Sequence, residues 1–247
     1  MTGFKAGRPR WWVTGLVLLT TLLGVGFFLV NGPDTAVLPP PAGQEGAPAR
    51  EDAAADLLDK LTVALAEGSR QDALALAPPG DDAARAELSD LVGNVRRLGV
   101  TDLAMRYVDE YAGRRPEGVA PRLADRAWVG DVQLDWKIDG YDEGDSHVEV
   151  TMVFLETKDG AAFVTARTDY GEQAPLWLLE PLTVQRSPRA LAAVAGGSVE
   201  AERFAALADQ AVRDVRKVFP RWDGRLVVEV PSSQQDLDRV LLSLIHI

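Results

Sequence analysis

The apolar residues of this chain change period partway along it, and that change decides the fold class. Over residues 51–97 they recur at helical spacing, with Ala54, Leu57, Leu58, Leu61 and Leu65 in one stripe opposite Asp56, Asp59 and Lys60. Gly68-Ser69 breaks this first helix, and a short second one over 70–77 stops at Pro78-Pro79-Gly80. Asp81 then caps a third, which carries Leu88, Leu91, Val92 and Val95 inward and ends at Gly99. Beyond Thr101 the period falls to two. Leu103, Met105 and Tyr107 alternate with Ala104, Arg106 and Val108, and Val132, Leu134, Trp136 and Ile138 alternate with Asp131, Gln133, Asp135 and Lys137. Residues 147–157 and 161–168 flank the tight turn Lys158-Asp159-Gly160 as a hairpin, and a last strand is expected over 176–185, interrupted by Pro181. Helices first and strands after them predict an α+β fold, with helices laid over a curved antiparallel sheet.

Residues 11–30, WWVTGLVLLTTLLGVGFFLV, carry no charge. At about 1.5 Å per helical residue they match a hydrocarbon core of about 30 Å, which predicts a transmembrane anchor. Lys5, Arg8 and Arg10 precede the run and the next basic residue is Arg50, so the positive-inside bias places residues 1–10 in the cytoplasm and the rest outside. The bilayer is therefore an expected partner through 11–30. A cleaved signal is the rival reading; its apolar region is usually about 7–15 residues long, and no small-x-small site follows here. Residues 31–50 hold five prolines among Gly and Ala without apolar period, which makes a linker or stalk.

The net charge is −11, and the first fifty residues do not supply it, since Lys5, Arg8, Arg10 and Arg50 outnumber Asp34 and Glu45. An acidic exported part repels nucleic acid and anionic headgroups. With no cysteine in 247 residues, neither disulfides nor thiolate metal sites can form. The only histidines are His147, expected at an exposed strand edge, and His246 in the tail. Neither stands at i, i+4 to another ligand, so no catalytic, metal or cofactor residue is assigned. Asp139, Asp142, Glu143 and Asp145 cluster without the spacing of a calcium loop, and Gly140 and Gly144 suit a hairpin turn. Neither G-x-S-x-G, nor a P-loop, nor G-x-G-x-x-G occurs.

Three helices followed by a strand-rich meander over residues 51–187 resemble the nuclear-transport-factor-2-like cone found behind single anchors in actinobacterial proteins. The resemblance implies an apolar pocket, which Trp128, Trp136, Met152, Phe154 and Trp177 would line; aromatics on alternating strand positions also serve as plain core. Anchored cones of this kind resemble Mce-associated proteins, which implies partners among envelope proteins and an assembly role without catalysis.

Ser187-Pro188 and Gly196-Gly197-Ser198 mark a second boundary. Phe204, Leu207, Ala208, Ala211, Val212, Val215, Val218 and Phe219 then predict an amphipathic helix closed by Pro220. Trp222-Asp223-Gly224 turns into the short strand RLVVEVP, and Ser232-Ser233 caps a last helix. The W-x-G turn and V-x-V-P strand, carried by Trp222, Gly224, Val228, Val230 and Pro231, resemble the opening of the zincin-like domain of peptidase MA type. In that family an H-E-x-x-H helix binds zinc further on. Residues 198–247 would then be the noncatalytic start of such a domain, with zinc left to a longer parent chain. A helix-strand-helix of ordinary packing accounts for the same residues. The terminal SLIHI resembles a translated sequencing-adapter tail, so an aberrant tail from about residue 243 and a truncated reading frame are expected.

Overall fold

The computed structural model describes residues 47–244 apart from 112–115, 117–118, 169–172 and 223. The anchor at 11–30, the cytoplasmic 1–10, linker residues 31–46 and the terminal 245–247 lie outside the described residues. No helix among the described residues is long and apolar enough to cross a membrane.

Three helices come first: α1 (Ala47–Glu67), α2 (Arg70–Ala75) and α3 (Asp82–Leu98). Helix α1 begins four residues before the end of the expected stalk, and Pro48 sits in its first turn, where a missing N–H costs no hydrogen bond. Its stripe of Ala54, Leu57, Leu58, Leu61 and Leu65 is buried. Left-handed Gly68 ends it. Asp81 caps α3 by accepting the Ala84 N–H at 3.0 Å, and Gly99, also left-handed, returns its N–H to the Val95 carbonyl.

Strands β1 (Val100–Glu110), β2 (Ala127–Ile138), β3 (Ser146–Thr157) and β4 (Gly160–Thr165) form an antiparallel meander in sequence order. The registers set Tyr107 opposite Val132, Trp128 opposite Phe154 and Phe154 opposite Phe163. Trp128, Val132, Leu134, Trp136 and Ile138 share one face of β2, as the period of two requires, and join α1 and α3 in the main core. The first residues of β2 are buried on both faces. Ala127 and Val129 pack behind the sheet with Val153, Leu155 and Val164, under Leu123 of a 3₁₀ turn, Pro121–Arg126.

Between helix and sheet runs a polar seam. The Glu87 carboxylate of α3 accepts the Thr165 hydroxyl and the Ala166 N–H, each at 2.7 Å, and Arg167 pairs with Asp90 at 3.0 Å. Burial nonetheless raises the Glu87 pKa above 4.5 against the pull of those bonds and of the Arg167 charge.

The strand expected over 176–185 forms in its second half only. Leu176–Leu179 is instead a helical turn, α4, with all four side chains buried, followed by β5 (Thr183–Arg186). LWLL has no polar alternation to give it a solvent face. Asn94 of α3 takes the backbone groups of this segment, donating to the Trp177 and Glu180 carbonyls at 2.8 and 2.7 Å and accepting the Leu182 N–H at 2.9 Å.

A second sheet has the order β5-β6-β7, with β6 at Ala190–Val194 and β7 at Leu226–Val230. β5 and β6 are antiparallel; β6 and β7 are parallel, joined across α5 (Ser198–Val218). The Ser187-Pro188 and Gly196-Gly197 signals therefore fall at turns within one sheet. Ala201, Ala205, Ala208 and Val212, at i, i+4, i+7 and i+11, form the buried stripe of α5. Strand β6 reads ALAAV and is buried on both faces, Ala192 and Val194 toward α5 and Leu191 and Ala193 toward the main core. Helix α6 (Gln234–Leu244), capped by Ser233, closes on that core through Val240.

Candidate functional site

The five aromatic and methionine positions expected to line a pocket are all buried in the main core. Phe154 stacks on Trp128 with ring centroids 5.4 Å apart, and Trp177 meets Trp136 edge-on at 6.0 Å. Tyr107 lies edge-on to Phe154 at 5.9 Å and across Gly130, where an added Cβ would come within 2.4 Å of the Tyr107 ring. Gly130 is thus the gap in β2 that admits the tyrosine. Burial pushes the Tyr107 hydroxyl up to about 12, with Glu110, Asp109 and Glu51 adding to the shift, so it stays protonated.

Of the five, Trp128 borders open space. A cleft of about 260 Å³ lies beside it, bounded by Arg50 and Ala53 of α1 and by Glu156, Thr157 and Gly160 at the β3–β4 turn. The Arg50 guanidinium stands 5.3 Å from the Trp128 ring centroid and pairs with Glu110 at 3.1 Å. The Trp177 indole Nε1 is buried without a hydrogen-bond partner, and that of Trp128 lies beside the Tyr107 hydroxyl. Ala49, Ala53 and the edge of Trp128, with a guanidinium beside them, can take a small amphipathic molecule whose acceptor group meets Arg50. At 260 Å³ the cleft is just below the usual range for ligand pockets, about 300–1,000 Å³.

No group of three or more His, Asp or Glu among the described residues could hold a metal ion. His147 is exposed on β3, in register with Asp135.

One group escaped sequence reasoning. Glu229, the variable residue of the V-x-V strand, points to the same face as Ala193, toward the main core. Burial, then repulsion from Asp142 in the β2–β3 turn, raises its pKa to about 7. Asp142 is itself held by the Ile138 N–H at 2.7 Å. The acidic run of the hairpin turn therefore meets a half-buried carboxylate from a strand almost ninety positions away, a pairing no local pattern announces.

The positions resembling a zincin-like domain make a turn and a strand. A Cβ on Gly224 would lie 2.6 Å from the Trp222 ring, so the glycine makes room for the folded-back indole. Val228 and Val230 pair with Ala192 and Val194, and Pro231 follows the last residue of β7. In comparison with known proteins, no family model and no curated protein matches this chain.

Proposed function

We propose that this is a membrane-anchored extracytoplasmic protein whose folded part is a noncatalytic binding module of the nuclear-transport-factor-2-like kind. The cleft at Trp128 and Arg50, opening beside the aromatic core of the four-stranded sheet, carries the reading. The chargeless 11–30 run behind Lys5, Arg8 and Arg10 supports the anchor and its direction. The ligand class is a small amphipathic anion: its apolar part lies against Ala49, Ala53 and the edge of Trp128, and its acceptor on Arg50. A suitable probe is 1-anilinonaphthalene-8-sulfonate, an aromatic anion, followed by its fluorescence. Saturable binding that Arg50→Ala weakens by at least about tenfold is expected, since a hydrogen bond to a charged group contributes about 1.5–3 kcal/mol. Binding that ignores Arg50→Ala would remove the cleft from consideration. For topology, protease added to intact cells should remove a C-terminal tag, and a protected tag would overturn the orientation.

A second reading has one observation in its favour. Ser198–Val218, the W-x-G turn and β7 follow the order of a zincin-like opening, and β7 sits at the end of its sheet with β6 as its hydrogen-bonded neighbour. Further strands of a longer metallopeptidase-like parent would extend that edge, with this portion noncatalytic. The test is the genomic reading frame: continuation past Leu242 into an H-E-x-x-H helix supports the parent, and a homologous frame without one leaves the binding module.

A further inference from the structure

The C-terminal end of α5 concentrates positive charge in a chain that is acidic as a whole. Residues 213–225 hold Arg213, Arg216, Lys217, Arg221 and Arg225 against Asp214 and Asp223, in a chain of net charge −11. At the centre of this basic segment Val218 is 71% and Phe219 63% exposed. Leu207, three turns earlier, lies on the same helix face as Val218, away from the buried Ala201–Val212 stripe. The tip is also held in shape. Phe219 N–H donates to the Val215 carbonyl at 2.8 Å, Trp222 N–H to the Phe219 carbonyl at 3.0 Å, and Arg216 Nε to the Trp222 carbonyl at 3.0 Å. Trp222 is fixed in turn against Gly224.

A rigid turn that presents two apolar side chains ringed by cations matches an interface where apolar chains lie beneath negative charge. From this we infer that the Val218–Trp222 tip docks on the surface of an anionic lipid bilayer, with Val218 and Phe219 entering the headgroup region and Arg216, Lys217 and Arg221 meeting phosphates. Charge selects this occupant. A second copy docked tip to tip would bring two basic clusters together, which opposes association. The acidic remainder of the surface is repelled by the same lipids, so it turns the tip toward them. Lys217 pairs with Asp214 at 2.7 Å while staying exposed, and Arg225 is engaged with the Gly140 carbonyl and the Tyr141 ring; Arg221 is exposed. The inference rests on reading residues 11–30 as an anchor, since a tether raises the local concentration of the bilayer and lets a weak contact hold.

The absence of cysteine makes the test clean. Full-length protein carrying Val218→Cys and an environment-sensitive fluorophore is reconstituted into phosphatidylcholine vesicles with and without phosphatidylglycerol. The label should shift to the blue only with phosphatidylglycerol, and the shift should shrink as salt rises, because the screening length falls to about 3 Å at 1 M. A label at Val63→Cys, on the exposed side of α1, should not respond. Lys217→Glu with Arg221→Glu, both at exposed positions, should abolish the shift while leaving circular dichroism unchanged. A label that stays unshifted on a chain resisting carbonate extraction overturns the tip contact and leaves the anchor standing. Extraction by carbonate removes the anchor reading, and the label shift measured beforehand still decides the tip. A shift that follows protein density rather than phosphatidylglycerol assigns the surface to a second copy and overturns the inference.

Discussion

Replacing Asn94 should detach the segment that joins the two sheets. Its side chain is fully buried and serves three backbone groups: the Trp177 and Glu180 carbonyls at 2.8 and 2.7 Å, and the Leu182 N–H at 2.9 Å. Asn94→Ala leaves all three without that partner. At about 1–3 kcal/mol for each buried group left unsatisfied, offset where water enters the space of the lost amide, the expected loss is about 3–5 kcal/mol. That is a large part of the ~5–15 kcal/mol that ordinarily holds a domain folded. In a chain of this size it corresponds to a fall in Tm of about 10 °C, at ~2–4 °C per kcal/mol. Denaturant unfolding gives the free energy, and hydrogen exchange at the Leu182 amide reports the site. Asn94→Asp sharpens the argument, because it keeps the shape and loses both donors. The new carboxylate would be buried against two carbonyl oxygens, which outweigh the Arg97 guanidinium donating to the other oxygen at a long 3.4 Å, so its pKa in the folded state rises above its unfolded value near 3.9. The carboxylate penalty is then absent below that unfolded value and grows as pH rises toward the folded one. Asn94→Asp should be the less stable variant at neutral pH and should recover partly on acidification. An alanine variant within 1 kcal/mol of the parent, or an aspartate variant equal to the parent at neutral pH, would refute the reasoning.

Three further outcomes follow from named contacts. Gly130→Ala places a methyl where the Tyr107 ring lies 2.4 Å away, against a tyrosine already fixed on Phe154, and should cost about 1–3 kcal/mol in denaturant unfolding. Glu229→Gln removes a carboxylate whose pKa is raised to about 7; the parent loses stability as pH rises from about 4.5 to 7. The variant should therefore match the parent at pH 4 and exceed its Tm at pH 8, and parallel pH–Tm curves would exclude the shift. Glu87→Ala strands the buried Ala166 N–H and should cost about 1–3 kcal/mol, whereas Glu87→Gln keeps an acceptor there and should lose much less.

Much of the first half of the fold was legible locally, because its elements announce themselves within a few residues. The α1 stripe, the Asp81 cap, the left-handed Gly99 and the alternation of β2 are each patterned by residues a few positions apart, and each stands in the structure. The close approach of Trp222 to Gly224 belongs with them, since the indole packs on a glycine two positions on. Strand β6 was invisible by that route: ALAAV has weak strand preference and no alternation, and it becomes a strand because β5, β7 and α5 bury both its faces. For the same reason Leu176–Leu179 became a helical turn, its backbone taken up by an asparagine more than eighty residues earlier. The candidate site divides likewise. Aromatic alternation pointed to Trp128, Trp136, Met152, Phe154 and Trp177, but the placing of Arg50 over Trp128, and of Glu229 beside Asp142, arose only when distant segments met. Periodicity and caps are set by energies that act between residues a few positions apart, and those the sequence by itself determined. Which residue covers a cleft, or shares its field with another charge, depends on pairings across the whole chain, and those only the tertiary structure decided.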